Sequence, residues 1–255
     1  MLKTRVIPVL LLKNRGFVKT RRFKKPVYLG DPKNIVKIFN DKEVDEIIIL
    51  DITAGKQGRK PDFDYLNELT IECFMPICYG GGINNLEDIK RLLAIGIEKV
   101  AINTYAFENP LFIREAAEHF GSQSIVISMD VKKDIFGNYR CYTRGGRKKT
   151  GTEPGMFARE MQEYGAGEIL INSIERDGMR QGYDLGLIKR VSGIVDIPVI
   201  GCGGAGSLTD FYQAVFTGGA AAVAAGSFFV FQGIHQAVLI SYPDYKELEK
   251  LFNNS

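Results

Sequence analysis

The chain has 255 residues, with 33 Lys and Arg against 30 Asp and Glu for a net charge of +3, and it is 45% hydrophobic and 25% charged. That globular composition excludes disorder, collagen and coiled coil, and the near balance of charge gives no argument for nucleic acid by itself. No apolar run reaches the length of a membrane span, and the stretch Met1–Gly16 is strand-like and too short for a signal peptide.

Four cysteines (Cys73, Cys78, Cys141, Cys202) show no CxxC and no metal spacing, so they read as reduced thiols in a cytoplasmic protein. With two histidines, His119 and His235, a multi-His metal site is not expected, and no cofactor is implied. No linker or low-complexity stretch divides the chain, so residues 1–255 read as one domain. That length is ordinary for a barrel of about 250 residues.

Short Val- and Ile-rich runs predict strands at Arg5–Leu11, Glu46–Asp51, Met75–Tyr79, Lys99–Ile102, Ser124–Asp130, Glu168–Asn172, Pro198–Cys202 and Ala221–Ala225. Several are nearly continuous apolar runs, as parallel strands covered on both faces require. Helix starts fall between them at Asp31-Pro32, Asn85, Asn109-Pro110, Ser207 and Pro243-Asp244, where a capping side chain or a proline suits the first turn. Gly96, Gly121 and Gly165 stand where helix ends need a left-handed residue. Eight strands alternating with eight helices predict a (βα)8 barrel.

The two halves resemble each other. Glu46–Asp51 aligns with Glu168–Ser173, Pro76–Gly82 with Pro198–Gly204, and Asn103-Thr104 with Ala225-Gly226, each pair 122 residues apart (46 to 168). Strand one aligns with strand five at 119, which sets Leu11 opposite Asp130 (11 to 130). A constant offset over several strands predicts a duplicated half-barrel.

The glycine turns carry the clearest chemistry. Gly80-Gly81-Gly82 and Gly203-Gly204 let backbone N–H groups approach an anion, and each is followed one βα unit later by a small polar turn, Asn103-Thr104 and Gly226-Ser227. One such turn is ordinary strand-end geometry, but two at matching positions predict two phosphate sites and a long substrate carrying a phosphate at each end. Asp130 ends strand five between them and is the candidate general base, with a capping or ion-paired aspartate as the plain alternative. Leu11 holds the symmetric place and transfers no proton. Asp51 and Asp177 are the other carboxylates near that face.

The basic stretches Lys19–Lys25 and Arg144–Lys149 read as lid loops over phosphates or as solvated charge, and no stacking motif supports RNA binding. At the opposite end, Arg5, Glu46, Lys99 and Glu168 begin strands one, two, four and six with alternating sign. They form either a closed ring or merely exposed ends. There is no Ser-His-Asp or Cys-His signature.

Together these residues resemble the HisF family, the cyclase subunit of imidazole glycerol phosphate synthase. The likeness covers nearly the whole chain, through Met1–Ile7, Gly30–Pro32, Leu50–Thr53, Gly80–Ile83, Ile102–Thr104, Phe120–Gln123, Gly167–Ile169, Arg176–Gly178 and Gly203–Gly206. It implies a synthase that takes ammonia from a HisH-like glutaminase docked at the barrel bottom and passes it to a bisphosphorylated substrate that is cyclised and cleaved. It implies no nucleic-acid and no membrane partner.

By that resemblance Lys19, Gly82, Asn103 and Thr104 match one phosphate site, and Gly204, Ala225, Gly226 and Ser227 the other. Arg5, Glu46, Lys99 and Glu168 match the gate of the ammonia passage. The family's acid pair is Asp130 and a second acid where this chain has Leu11, and Met179 replaces a common Thr. Pro8–Lys13, Glu72–Tyr79 and Ala224–Phe231 resemble the second-copy HisF-like proteins of bacterial surface-polysaccharide clusters, associated with amidino-sugar formation. Beside an ammonia-using synthase, two further readings stand: a non-cyclising ammonia conduit for a separate amidating enzyme, and a HisA-type phosphosugar isomerase.

Overall fold

The computed structural model describes residues 4–233 and 235–253; Met1–Lys3 of the N-terminal motif lie outside them. Eight parallel strands, β1 (Arg5–Lys13), β2 (Ile47–Asp51), β3 (Ile77–Gly80), β4 (Lys99–Ile102), β5 (Ile125–Lys133), β6 (Glu168–Ser173), β7 (Val199–Cys202) and β8 (Ala222–Ala225), follow one another around a closed sheet. β8 pairs with β1, and β5 with β6, so the barrel has no free edge. All eight predicted strands are present, with ends shifted by a few residues.

The helices α1 (Pro32–Asp41), α2 (Phe63–Ile71), α3 (Leu86–Ala94), α4 (Leu111–Phe120), α5 (Pro154–Glu163), α6 (Leu185–Ser192), α7 (Leu208–Phe216) and α8 (Tyr245–Asn253) cover the outside. Their starts follow local chemistry. The Asp31 carboxylate accepts from Asn34 N at 3.2 Å ahead of Pro32, and Asn85 accepts from Asp88 N at 2.9 Å. Ser207 accepts from Asp210 N at 3.4 Å while Asp210 accepts from Ser207 N at 2.8 Å, a reciprocal cap. Asn85 and Ser207 occupy matching places in the two halves. Asp62, Glu153 and Asp184 cap α2, α5 and α6, which sequence reading had not singled out.

Two apolar layers form because strand side chains alternate in direction. Val6, Leu10 and Leu12 of β1 face outward and join Ile35, Val36 and Phe39 of α1 in the sheet–helix layer. Ile7 and Val9 face inward with Ile48, Cys78, Ala101, Val126, Leu170, Ile200, Cys202, Ala222 and Ala224. Five of these inner residues, Cys78, Ala101, Cys202, Ala222 and Ala224, are no larger than cysteine and stand on two pairs of adjacent strands, so part of the barrel interior is filled by small side chains.

The register supports the duplication and corrects one part of it. Val9 pairs with Ile48 as Ser128 pairs with Leu170, which keeps the 119 and 122 offsets and Leu11 opposite Asp130 in the repeat. Cys78 pairs with Lys99, but Ile200 pairs with Ala222, so the last strands align at 123 (99 to 222). Asn103 therefore matches Gly226, and Thr104 matches Ser227, each pair opening a short helix (Thr104–Glu108 and Ser227–Val230). The sequence alignment of Asn103-Thr104 with Ala225-Gly226 is one residue short because the second half holds one extra residue between its last two strands.

The basic stretches are also ordered differently from the loops expected. β1 continues into an antiparallel ribbon, Gly16–Arg21 and Lys24–Gly30, and β5 continues into Tyr139–Thr143 and Lys148–Lys149. Both ribbons rise above the carboxyl ends of the strands. Lys19 to Lys25 is thus strand, turn and strand.

Candidate active site

The carboxyl ends of the strands enclose a cavity of about 320 Å³. Leu11, Lys19, Gly82, Asn103, Thr104, Asp130, Gly204, Ala225, Gly226 and Ser227 all line it, so the ten residues singled out for chemistry or phosphate binding, drawn from both halves, converge on one place.

Asp130 stands on β5 between Ser128 and the start of the ribbon and is buried. Asn103 Nδ2 donates to its Oδ2 at 3.0 Å. Burial, then the charge of Asp177, pushes the Asp130 carboxyl up to about 7, against the Asn103 hydrogen bond and the charge of Lys56. A carboxyl titrating there exists in both protonation states near neutral pH, which suits general acid–base work. Leu11 is half-buried, faces inward with Leu50, and adds apolar surface to the same wall.

Asp177 follows β6 and does more than form a turn. Lys19 Nζ donates to its Oδ1 at 2.7 Å, Thr20 Oγ1 donates to its Oδ2 at 3.1 Å, and Phe23 N to Oδ2 at 3.4 Å. The first ribbon is thereby pinned to the β6–α6 loop. Lys19 was grouped with Gly82 in the sequence; its stem instead lies against Gly226, where a Cβ would stand 2.9 Å from Lys19 Cε. Asp51 is held by Thr53 N at 2.8 Å, Thr53 Oγ1 at 2.7 Å and Ala54 N at 2.9 Å, with Arg59 at 3.5 Å, so it organises the β2 turn.

The two glycine turns are built alike. Gly82 has φ +76° and a Cβ there would come 2.4 Å from Arg59 O; Gly204 has φ +120° and a Cβ would come 2.2 Å from Gly182 O. The space taken by the neighbouring loop therefore fixes these glycines, as well as their backbone angle. Next to them Asn103 Oδ1, Asn172 Oδ1 and Ser227 Oγ are buried without a hydrogen-bond partner among the described residues. Three orphaned polar atoms lining one cavity are the mark of a polar ligand's place, since burying each without a partner costs free energy. Asn172 escaped sequence reading, although a polar residue at an inward position of Glu168-Ile-Leu-Ile-Asn172 is a readable signal.

The four charged residues at the other end do close into a ring. Arg5 pairs with both Glu46 and Glu168, and Lys99 Nζ lies 3.1 Å from Glu46 and 2.9 Å from Glu168. The carboxylates hold Arg5 and Lys99 charged despite burial, which opposes it. Between ring and cavity the inward layers are apolar. Burial pushes the Cys78 thiol well up and the Cys202 thiol to about 12, so neither is a nucleophile at neutral pH. No helix among the described residues is long and apolar enough to cross a membrane.

A family model described as "Histidine biosynthesis protein" matches residues 5–235. A Pseudomonas aeruginosa protein provisionally named imidazole glycerol phosphate synthase subunit HisF2 is 48% identical over 249 residues, 98% of this chain and 99% of its own. A Vibrio vulnificus protein provisionally named subunit HisF3 is 45% identical, covering 98% of this chain and 96% of its own. The imidazole glycerol phosphate synthase subunit HisF of Alkaliphilus metalliredigens is 44% identical, covering 90% and 91%.

Proposed function

This chain belongs to the histidine biosynthesis protein family, among the HisF subunits of imidazole glycerol phosphate synthase, and we propose that it is the ammonia-using synthase subunit of a glutamine amidotransferase acting on a phosphorylated substrate in surface-polysaccharide amidino-sugar formation. The observation that carries this reading is the pairing of two ends. A charged ring closes one end of the barrel, and a cavity with a near-neutral carboxyl and three unpartnered polar atoms occupies the other.

In this reading a cytoplasmic HisH-like glutaminase docks beneath the ring. Ile71 and Phe74, 66% and 85% exposed at the α2–β3 connection on that face, offer it apolar contact. Ammonia is small and neutral, so an apolar interior containing Cys78, Ala101, Ala222 and Ala224 opposes its passage far less than that of an ion. Gly82, Asn103 and Thr104 hold one substrate phosphate, and Gly204, Ala225, Gly226 and Ser227 the other, with Lys19 contributing positive charge beside Gly226. Ammonia adds through its lone pair to an unsaturated substrate carbon, whose π pair moves onto the attached heteroatom, and Asp130, ionised, takes the proton that the nitrogen loses.

Leu11 favours a second reading, in which ammonia is conducted to a separate amidating enzyme without cyclisation, because the second proton carrier is missing. The test is to supply the chain and its glutaminase with amide-¹⁵N glutamine and the bisphosphorylated HisF substrate. Label in a cyclised product supports the synthase, and label only in free ammonia supports the conduit.

A further inference from the structure

Above the barrel mouth lies a second cavity of about 960 Å³ between the two ribbons, with a volume in the range of small-molecule sites; it opens onto the first, since Thr20, Phe23, Ile52, Lys56 and Gly145 line both. Its wall is cationic. Lys13, Arg22, Lys24 and Lys25 reach it from β1 and its ribbon, Lys56 from the short helix Ala54–Gln57, and Lys132 and Arg147 from β5 and its ribbon. The single carboxylate on that wall, Glu175, accepts from Lys133 N at 3.2 Å.

None of the seven cations has a carboxylate within ion-pair distance among the described residues, whereas Lys19, Arg59 and Arg144 close by all do. With a net charge of +3 for the whole chain, this wall concentrates more than the total, and the rest is net acidic. Like charges gathered around one concavity repel unless an anion sits among them.

The wall is also built rather than merely charged. Gly145, at φ +63°, makes room for Lys56, whose Nζ would lie 2.8 Å from a Cβ there; Gly146 makes room in the same way for Phe23, 3.0 Å away. Arg22 and Phe23 occupy the ribbon's turn with φ of 49° and 61°, positions that Asn-Gly fills without strain. Two large side chains are kept where small ones fit better. Arg22 Nε donates to Glu175 O at 3.2 Å, which ties the guanidinium to the cavity wall, and its terminal nitrogens have no hydrogen-bond partner among the described residues. Partial burial, then the charge of Arg147, holds the Lys56 ammonium below its usual pKa, as expected for cations crowded together. Phe23 and Tyr142 supply aromatic surface beside the charge.

We propose that this cavity is a second ligand site, adjoining the barrel mouth, that binds a diphosphate ester: the two phosphates lie against the cations of both ribbons and the organic group lies on Phe23 and Tyr142. A diphosphate presents enough oxygens to meet cations arriving from both sides, and a concavity of this volume between two ribbons favours a small molecule over a nucleic-acid strand. The inference does not rest on the substrate, on Asp130 or on a glutaminase.

Calorimetric titration of the full chain with orthophosphate, pyrophosphate, ADP and UDP, at about 0.15 M ionic strength so that loose surface attraction is screened, tests it. A saturable event that persists in Ser227→Ala is expected, with a nucleotide tighter than pyrophosphate and pyrophosphate tighter than orthophosphate. Charge-assisted contacts make the combined Lys56→Met and Arg147→Met changes weaken it at least tenfold, and the exposed Arg147→Glu alone gives the same direction without risk to the core. Phe23→Ala should bring the nucleotide down to the level of pyrophosphate.

The proposal is overturned if no diphosphate binds, if orthophosphate does as well as pyrophosphate, if neither nucleotide exceeds pyrophosphate, or if binding survives the cation changes. Loss of binding on Ser227→Ala would also overturn it, because the anion would then belong to the barrel mouth.

Discussion

Leu11→Asp is the sharpest perturbation of the chemistry. In the strand register Leu11 lies beside Leu50, and Asp130 beside Asn172, so the change sets a carboxyl at the repeat-related place across the same cavity. Leu11 is half-buried; against a full leucine burial of about 1.5–3 kcal/mol, the lost apolar contact costs about 1 kcal/mol, which the barrel tolerates. Asp130 is already pushed up to about 7 by burial and by Asp177, and a second nearby carboxyl drives the two proton affinities further apart. One acid is then protonated while the other is ionised, which is the arrangement that acid–base cyclisation uses.

A positioned proton carrier contributes about 10²–10⁴-fold, or about 3–5 kcal/mol of barrier. The parent chain is therefore expected to form imidazole glycerol phosphate only slowly from saturating ammonium and the bisphosphorylated substrate, and Leu11→Asp to gain at least about a hundredfold. A parent turnover equal to that of an ordinary HisF, or a folded variant without gain, would refute the reasoning that the missing acid limits this reaction.

Three further outcomes follow from the same geometry. The base form of Asp130 is the ionised one, so turnover should fall as pH drops through about 7, and Asp130→Asn should abolish activity, not shift the limb. The same raised pKa means that the native state holds this proton more tightly than the unfolded chain. Its stabilising effect is complete below the ordinary carboxyl range and lost as pH rises through about 7, so Asp130→Asn should raise stability at about pH 8 by about 2–4 kcal/mol in urea melts. Ser227→Ala removes a hydroxyl without a partner in the protein, so it should leave the melting temperature unchanged or higher while weakening a phosphate-bearing substrate about tenfold; equal affinity would count against the phosphate site.

Much of the barrel was legible because parallel strands buried on both faces read as apolar runs, and because Asp31, Asn85 and Ser207 cap helices with their own side chains. The candidate site was legible where duplication marked it, at Gly82 and Gly204. The ribbons were not. In the first, Gly16–Arg21 is buried along most of its length, but Lys24–Gly30 is largely exposed and the chain turns at Asn14-Arg15 and Arg22-Phe23, all with positive φ and none of them glycine, so its turns carried little signal; in the second, Gly145-Gly146 marks a turn, but the strands beside it, Tyr139–Thr143 and Lys148–Lys149, are short and largely polar. Nor was the Lys19–Asp177 pair, which joins residues far apart in the chain through a ribbon whose path no local pattern dictates. Lys56 belongs to no motif and gains its character only from the ribbon packed over it.

The ring tests the account most directly. Lys99 bridges Glu46 and Glu168 at 3.1 and 2.9 Å, so Lys99→Glu sets a third carboxylate against two and disrupts the ring while leaving the distant cavity intact. With a HisH-like glutaminase co-purified on the chain, product formation should be compared with glutamine and with free ammonium as nitrogen source. The account predicts that the glutamine-dependent rate falls at least about tenfold more than the ammonium-dependent rate, since only the first requires passage through the ring. Equal losses of both rates, or no association of the glutaminase even with substrate bound, would contradict it and leave the ring a purely structural closure of the barrel.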